Sequence, residues 1–189
     1  MNKKLYYIQD RGKKKFMEKA KYFITADEHY FHHNMLKYAN RPFKSIEEMN
    51  ETLISNHNEV VSCDDITIHA GDFTLKDKKH AEKIIKRLNG NHIFLKGSHD
   101  RWLKKNTNMI WEGTIDKQFI VICHYCLRTW ARSHYNSWHF FAHSHGKLEP
   151  IGKSWDVGVD NNNFYPFSFV DQIKEIMKKR PDNPNLIRR

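Results

Sequence analysis

An α/β fold is predicted for this chain, and three observations predict it. Strand-like and helix-like segments alternate through the first half, and further strand-like segments follow in the second. The short apolar runs end in polar residues, chiefly Asp and His. The length, 189 residues of which 39% are hydrophobic, suits one compact core.

Residues 21–26, KYFITA, form an apolar run closed by charged residues and predict a buried strand. Ser45 with Glu48 three positions later reads as a capping box. It opens a helix over 46–61, where Met49, Leu53, Ile54, Val60 and Val61 fall near helical spacing. ITIHAGDF (66–73) predicts a second strand, its end marked by Gly71. KKHAEKIIKRL (78–88) is amphipathic and stops at Asn89-Gly90. HIFLKG (92–97), QFIVICHY (118–125), WHFFAHSHG (138–146) and SWDVGVD (154–160) predict further strands, and FSFVDQIKEIMKKR (167–180) a closing helix. Consecutive strands late in the chain predict a second, more antiparallel sheet. Residues 1–19 lack periodicity and read as an extension before a domain over 20–180; the Pro- and Asn-rich segment 181–189 reads as a loose tail.

The net charge of +10 and a pI near 9.4 favour an anionic partner, although each run such as KDKKH is by itself an ordinary solvated face. No stretch approaches the ~20 apolar residues of a membrane span. The N-terminal apolar run ends at Ile8, short of the roughly 7–15 residues of a secretory signal, so a cytoplasmic protein is expected. Three cysteines, few and odd in number, point to a reducing compartment. Cys123 and Cys126 read as ordinary thiols; the competing reading is a structural zinc held by Cys123, His124 and Cys126.

Chemistry gathers at the predicted strand ends. There stand Asp27-Glu28-His29, Gly71-Asp72, Gly97-Ser98-His99-Asp100, His124, and His143-Ser144-His145. Ligands of open α/β sheets sit beyond the carboxyl ends of strands, so five ends deliver Asp and His to one place. On an extended chain Asp27 with His29, and His143 with His145, each point one way. Mixed carboxylate and imidazole donors suit Zn, Mn, Fe or Ni. Their number exceeds one tetrahedral ion and suggests two, bridged by a carboxylate, which activate water and neutralise a phosphoryl group. A lone histidine near a strand end is ordinarily structural; His57, His69, His80, His92, His134 and His139 are assigned to that class.

Taken in order, DEH, GD, GSHD, the histidine of CHY, and AHSH resemble the five blocks of the calcineurin-like metallophosphoesterase superfamily. DEHYFHHNMLKYANRPF and SWHFFAHSHGK with SWDVGVD look like its small single-domain bacterial and phage members. The resemblance implies an αββα sandwich, two facing mixed sheets flanked by helices. It implies that Asp27, His29 and His145 hold one metal, that Asp72 bridges, and that His124 and His143 hold a second. His99 would assist at the phosphoryl or leaving-group oxygen, with Asp100 orienting its ring. His32 and Asn34 match a motif beside the metals; Arg41 and Arg128 are candidates to grip phosphate, with a surface ion pair as the competing reading.

Three positions depart from the pattern. Ser98 stands where the family has an asparagine that ligates the second metal, Ala142 replaces a glycine, and Cys126 a proline. The expected function is a phosphoesterase using two divalent transition-metal ions, with manganese foremost for activity. A diester is expected over a monoester, and a nucleotide, cyclic nucleotide or nucleic-acid end as substrate. The alternative is a catalytically weakened phosphate- or nucleic-acid-binding protein, motivated by Ser98, the basic surface, and Trp102, Trp111, Trp130 and Trp138 as stacking platforms.

Overall fold

The computed structural model describes residues 20–187, so the extension read over 1–19 lies outside the described residues. In chain order the elements are β1 (Tyr22–Thr25), α1 (Met35–Tyr38), α2 (Ile46–Val60), β2 (Ile66–His69), α3 (Lys78–Ile85), β3 (Asn91–Phe94), β4 (Ile110–Ile115), β5 (Gln118–Cys123), β6 (Trp138–Phe141), β7 (Ser154–Asp156), β8 (Phe167–Ser168) and α4 (Lys174–Lys179). They build two four-stranded sheets, ordered β3-β2-β1-β8 and β4-β5-β6-β7.

In the first sheet β1, β2 and β3 run parallel, and β8 pairs antiparallel with β1. α2 opens as expected: the Ser45 hydroxyl accepts from the Glu48 N–H at 3.1 Å. The Glu48 carboxylate reaches back one residue further than in the usual box, to the Lys44 N–H at 2.7 Å. Alternation sorts the strands. Ile24, Ala26, Ile68, Ala70 and Leu95 face the second sheet's Ile120, Ile122, Phe140 and Ala142, and Ile173 and Met177 at the C-terminal helix close that core. Phe94, from the other face of the first sheet, meets Met49, Leu53 and Ile54 of α2 and Ala81, Ile84 and Ile85 of α3. Two facing mixed sheets with helices packed on them are thus what the chain forms.

Three expectations need correction, and one strand is not foreseen by the sequence. β5, β6 and β7 are parallel; only the β4–β5 hairpin is antiparallel in the second sheet. The long segments 124–137 and 142–153 give room for the crossovers a parallel pair requires. β4 itself was not legible, because it is an edge strand with mostly exposed or half-buried residues. Its tight turn, Asp116-Lys117 with φ of 47° and 67°, has the positive angles that a two-residue hairpin favours. The closing helix is shorter than 167–180: Phe167 and Ser168 are spent on β8, and regular α-helix begins at Lys174. Finally, residues 181–187 are not loose. Asn183 is buried and its amide donates to the carbonyls of Ser133 and Ser137 at 3.0 and 2.9 Å, while the Ile187 N–H reaches the His134 carbonyl at 3.0 Å.

That tail ties down the segment 126–137, which covers the outer face of the second sheet with the Trp130 ring 5.1 Å from that of His139 at a tilt of 33°. His139 accepts the Leu127 N–H on Nε2 at 3.0 Å and donates from Nδ1 to the Val121 carbonyl at 3.2 Å. It is fully buried and structural, as are His57, His69 and His92 beneath the helices. Among the described residues no helix is long and apolar enough to cross a membrane.

Candidate metal centre

The five strand ends converge. Backbone bonds lace the segments after β1 and β2 together: Asp27 N–H to the Gly71 carbonyl and His29 N–H to that of Asp72, both at 3.0 Å. The loop after β3 joins them through Asp100. Its carboxylate accepts from the N–H groups of Asp72 (2.6 Å), Phe73 (3.0 Å) and Gly97 (2.9 Å) and from the Trp102 indole (3.0 Å). The second sheet docks through the His143 N–H, 2.8 Å from Asp27 Oδ2. Gly97 allows a close approach, since a Cβ there would collide with the Asp72 carboxylate and amide.

Two groups of ligand atoms result, Asp27 with His29 and His145, and Asp72 with His124 and His143; within each, the atoms lie no more than 4.8 Å apart. Neither contains a cysteine, so among the described residues Cys123 and Cys126 do not join His124 in a zinc site. The pairing differs from simple strand alternation. His143 and His145 go to different groups, and Asp27, His29, Asp72, His143 and His145 all have left-handed backbone, with φ between 48° and 68°. Each such non-glycine turn costs roughly 1–3 kcal/mol and persists where surrounding structure enforces it.

The donors fit a cation. Asp27 Oδ1, His29 Nε2 and His124 Nε2 are buried with no hydrogen-bond partner. Buried polar atoms are rarely left so, and three of them converging form a donor set suited to a cation. His124 donates from Nδ1 to the Ala70 carbonyl at 3.1 Å, and His145 from Nδ1 to Asp160 at 2.7 Å, which leaves Nε2 of each as a lone-pair donor. Burial presses the His29 imidazole down to about 2 and lowers that of His143, keeping both neutral, the form that ligates. Asp27 is held well above the ordinary carboxylate range by burial and by the negative charges of Asp72 and Asp156. A cation among these carboxylates would remove that penalty.

Of the other predicted residues, His32 joins the site: its Nδ1 lies 3.4 Å from His29 Nδ1 and its ring 5.7 Å from that of His99. His99 stands at the edge with its side chain 40% exposed, Nε2 at 3.9 Å from Asp72 Oδ2. Ser98 donates its hydroxyl to Asp72, at 2.9 Å to Oδ2 and 3.2 Å to Oδ1. Asn34 is exposed at the start of α1, and Arg128 is exposed on the segment after β5.

Two roles read from the sequence are replaced. Asp100 does not orient the His99 ring; its oxygens are taken up by the backbone clamp just described. Arg41 neither faces a phosphate nor forms a surface pair, because its guanidinium is buried. It donates to both Asp160 oxygens (2.8 and 2.9 Å) and to the carbonyls of Asp27 (2.5 Å) and Glu28 (2.9 Å). Asp160, to which the sequence reading gave no role, is therefore the joint between Arg41 and the ligand His145. Burial raises its carboxyl, but the hydrogen bonds from His145 and Arg41 outweigh that and hold it at about 2. Its signal lies in SWDVGVD, of which it is the last residue. Asp156 of the same stretch accepts from the Ser144 hydroxyl at 2.6 Å and the Gly146 N–H at 3.0 Å, shaping the loop that carries His143 and His145. Glu28 turns the other way, its Oε1 2.6 Å from His69 Nδ1 on the helix side of the sheet.

Against this geometry stand the comparisons with known proteins. Over 176 residues the chain is 34% identical to the uncharacterized protein MJ1445 of Methanocaldococcus jannaschii, covering 86% of this chain and 94% of the relative. The chain belongs to the MJ1445 family. The fold of this chain is also that of a solved structure, the protein of unknown function AQ665 from Aquifex aeolicus, at TM-score 0.62 and 20% identity over 84% of this chain and 98% of that one. A more distant likeness, at TM-score 0.43 and 13% identity over 73% of this chain and 72% of that one, is to wild-type Vps29 of Entamoeba histolytica complexed with zinc. No family model matches the chain.

Proposed function

We propose that the chain is a calcineurin-like metallophosphoesterase that hydrolyses a phosphodiester. The observation that carries this reading is the pair of facing ligand groups with their orphaned, buried donor atoms. Asp27, His29 and His145 would hold one divalent ion and Asp72, His124 and His143 the other, Asp72 lying between the groups with its Oδ2 3.3 Å from His124 Nε2 and 3.8 Å from His29 Nε2. When bound, two such ions supply an activated water and positive charge for the phosphoryl oxygens.

The chain's own residues do the rest. Asp100, by clamping the backbone at Asp72 and Gly97, fixes the central carboxylate. Arg41 and Asp160 set the tautomer and direction of His145. His99, part exposed at the rim, hands a proton to the departing alkoxide. His32 stands beside it and Arg128 on the neighbouring segment meets the non-bridging oxygens. Manganese is the proposed activating metal and the cytoplasm the proposed location.

A weakened binder remains as a second reading because of one contact, the Ser98 hydroxyl donating to Asp72 where an amide ligand is the family's pattern. The buried or half-buried tryptophans argue against nucleic-acid binding by stacking on them. The test is hydrolysis of bis-p-nitrophenyl phosphate and p-nitrophenyl phosphate with Mn²⁺ added or chelated, alongside metal content. Metal-dependent diester turnover is expected; a protein that retains two ions and turns over neither ester overturns the enzyme reading.

A further inference from the structure

Among the described residues three tyrosines are exposed, Tyr38 (65%), Tyr125 (37%) and Tyr135 (58%). Tyr135 belongs to the outer cover of the second sheet, where its ring lies 4.1 Å from His134. The other two lie near the metal centre, each by way of a different ligand group. The Tyr125 ring lies 5.0 Å from His124 and 5.1 Å from His143, both of the second ligand group, in near-perpendicular contacts. Tyr38, the last residue of α1, lies 6.4 Å from His32 at 85°, and His32 in turn lies 5.3 Å from His29 of the first group. Neither tyrosine belongs to either apolar core.

Resting on the phosphodiesterase reading, we propose that Tyr38 and Tyr125 are the two stacking walls of the site. Each takes a planar group carried on one arm of the diester. A phosphoryl group centred on Asp72 sends its two ester arms toward the two ligand groups, where a polar end meets a ring half out of water. Such a ring offers a face that any nucleobase can use, worth roughly a factor of ten or more per base. Aliphatic arms gain little there. The substrate class that fits is therefore a phosphodiester with a nucleoside on each side, a dinucleotide or an internucleotide linkage.

The experiment compares thymidylyl-thymidine with the methyl phosphodiester of thymidine, which lacks one base, on the metal-loaded full chain. The quantity read is the ratio of their kcat/KM values, in which uniform damage to the metal centre cancels. Wild type is expected to favour the two-base substrate roughly tenfold. Tyr38→Leu and Tyr125→Leu should each bring the ratio close to one, since one wall then serves either substrate; Tyr38→Phe and Tyr125→Phe should keep it. A wild-type ratio near one overturns the proposal, and an unchanged ratio in a leucine variant overturns the assignment of that tyrosine. If wild type cleaves neither substrate, the phosphodiesterase reading fails by itself. Calorimetric affinities of the same two compounds for the same loaded proteins then decide the walls: a preference lost in the leucine variants upholds them, and equal affinities overturn them.

Discussion

Replacing Asp160 with asparagine separates a metal-positioning network from an ordinary buried ion pair. The wild-type carboxylate, whose side chain is 11% exposed, accepts two bonds from Arg41 and one from His145. An amide has one oxygen for these donors, and its NH₂ faces a guanidinium. Two magnitudes follow. The carboxyl is held at about 2 against an ordinary value of 3.8, a difference worth ~2 kcal/mol. Because the folded value is depressed, this stability is fully present above pH 3.8 and lost as pH falls toward 2. The variant should therefore be less stable at pH 7 by at least ~2 kcal/mol in urea, and the gap should narrow in acid. Second, the His145 Nδ1 proton must compete with Arg41 for the one amide oxygen, and loosening a ligand's outer acceptor typically costs about 10–100-fold in metal affinity. Chelator competition should find one ion weakened by that factor and the other held as before, since His124 keeps its own acceptor at the Ala70 carbonyl. Two ions bound with wild-type affinity by the variant would refute the argument that Asp160 orients His145.

Other expectations come from neighbouring contacts. Ser98→Asn should raise both metal stoichiometry and diesterase rate if the serine leaves the second site short of a donor; no change in either would mean that the hydroxyl on Asp72 already suffices. Asp100→Ala strips the acceptor from several buried N–H groups and should cost at least ~3 kcal/mol in urea unfolding, a loss that a residue merely orienting an exposed ring would not show. Burial presses His139 down to about 4, so the unfolded chain takes up a proton there before the folded one does. Stability should fall as pH drops from about 6.5 to 4, by on the order of 3 kcal/mol from this group, and His139→Gln should flatten that part of the profile.

Much of the site is legible in the sequence. Ligands that punctuate apolar runs are visible as blocks, because a buried strand must be apolar and its functional end must not be. Asp27, His29, Asp72, His124, His143 and His145 were all found that way, and they do meet in two groups. Edge elements were not. β4 and β8 carry too little buried, alternating surface to stand out from loop. Arg41 stands out in the sequence but its partner does not: arginine suits phosphate and carboxylate alike, and sequence spacing does not reveal an aspartate 119 positions away.

By itself the sequence determined the identity of the donors, their order, and the strands that present them, because each of those is a local matter of polarity and period. Only the tertiary structure decided how the donors are shared. His143 and His145, two residues apart, serve different groups because left-handed backbone at both turns their side chains apart. The docking of two sheets, through His143 on Asp27 and Arg41 on Asp160, sets which carboxylate each one meets. Those contacts join residues more than a hundred positions apart, and no local pattern records which of the possible partners the packed sheets will bring within reach.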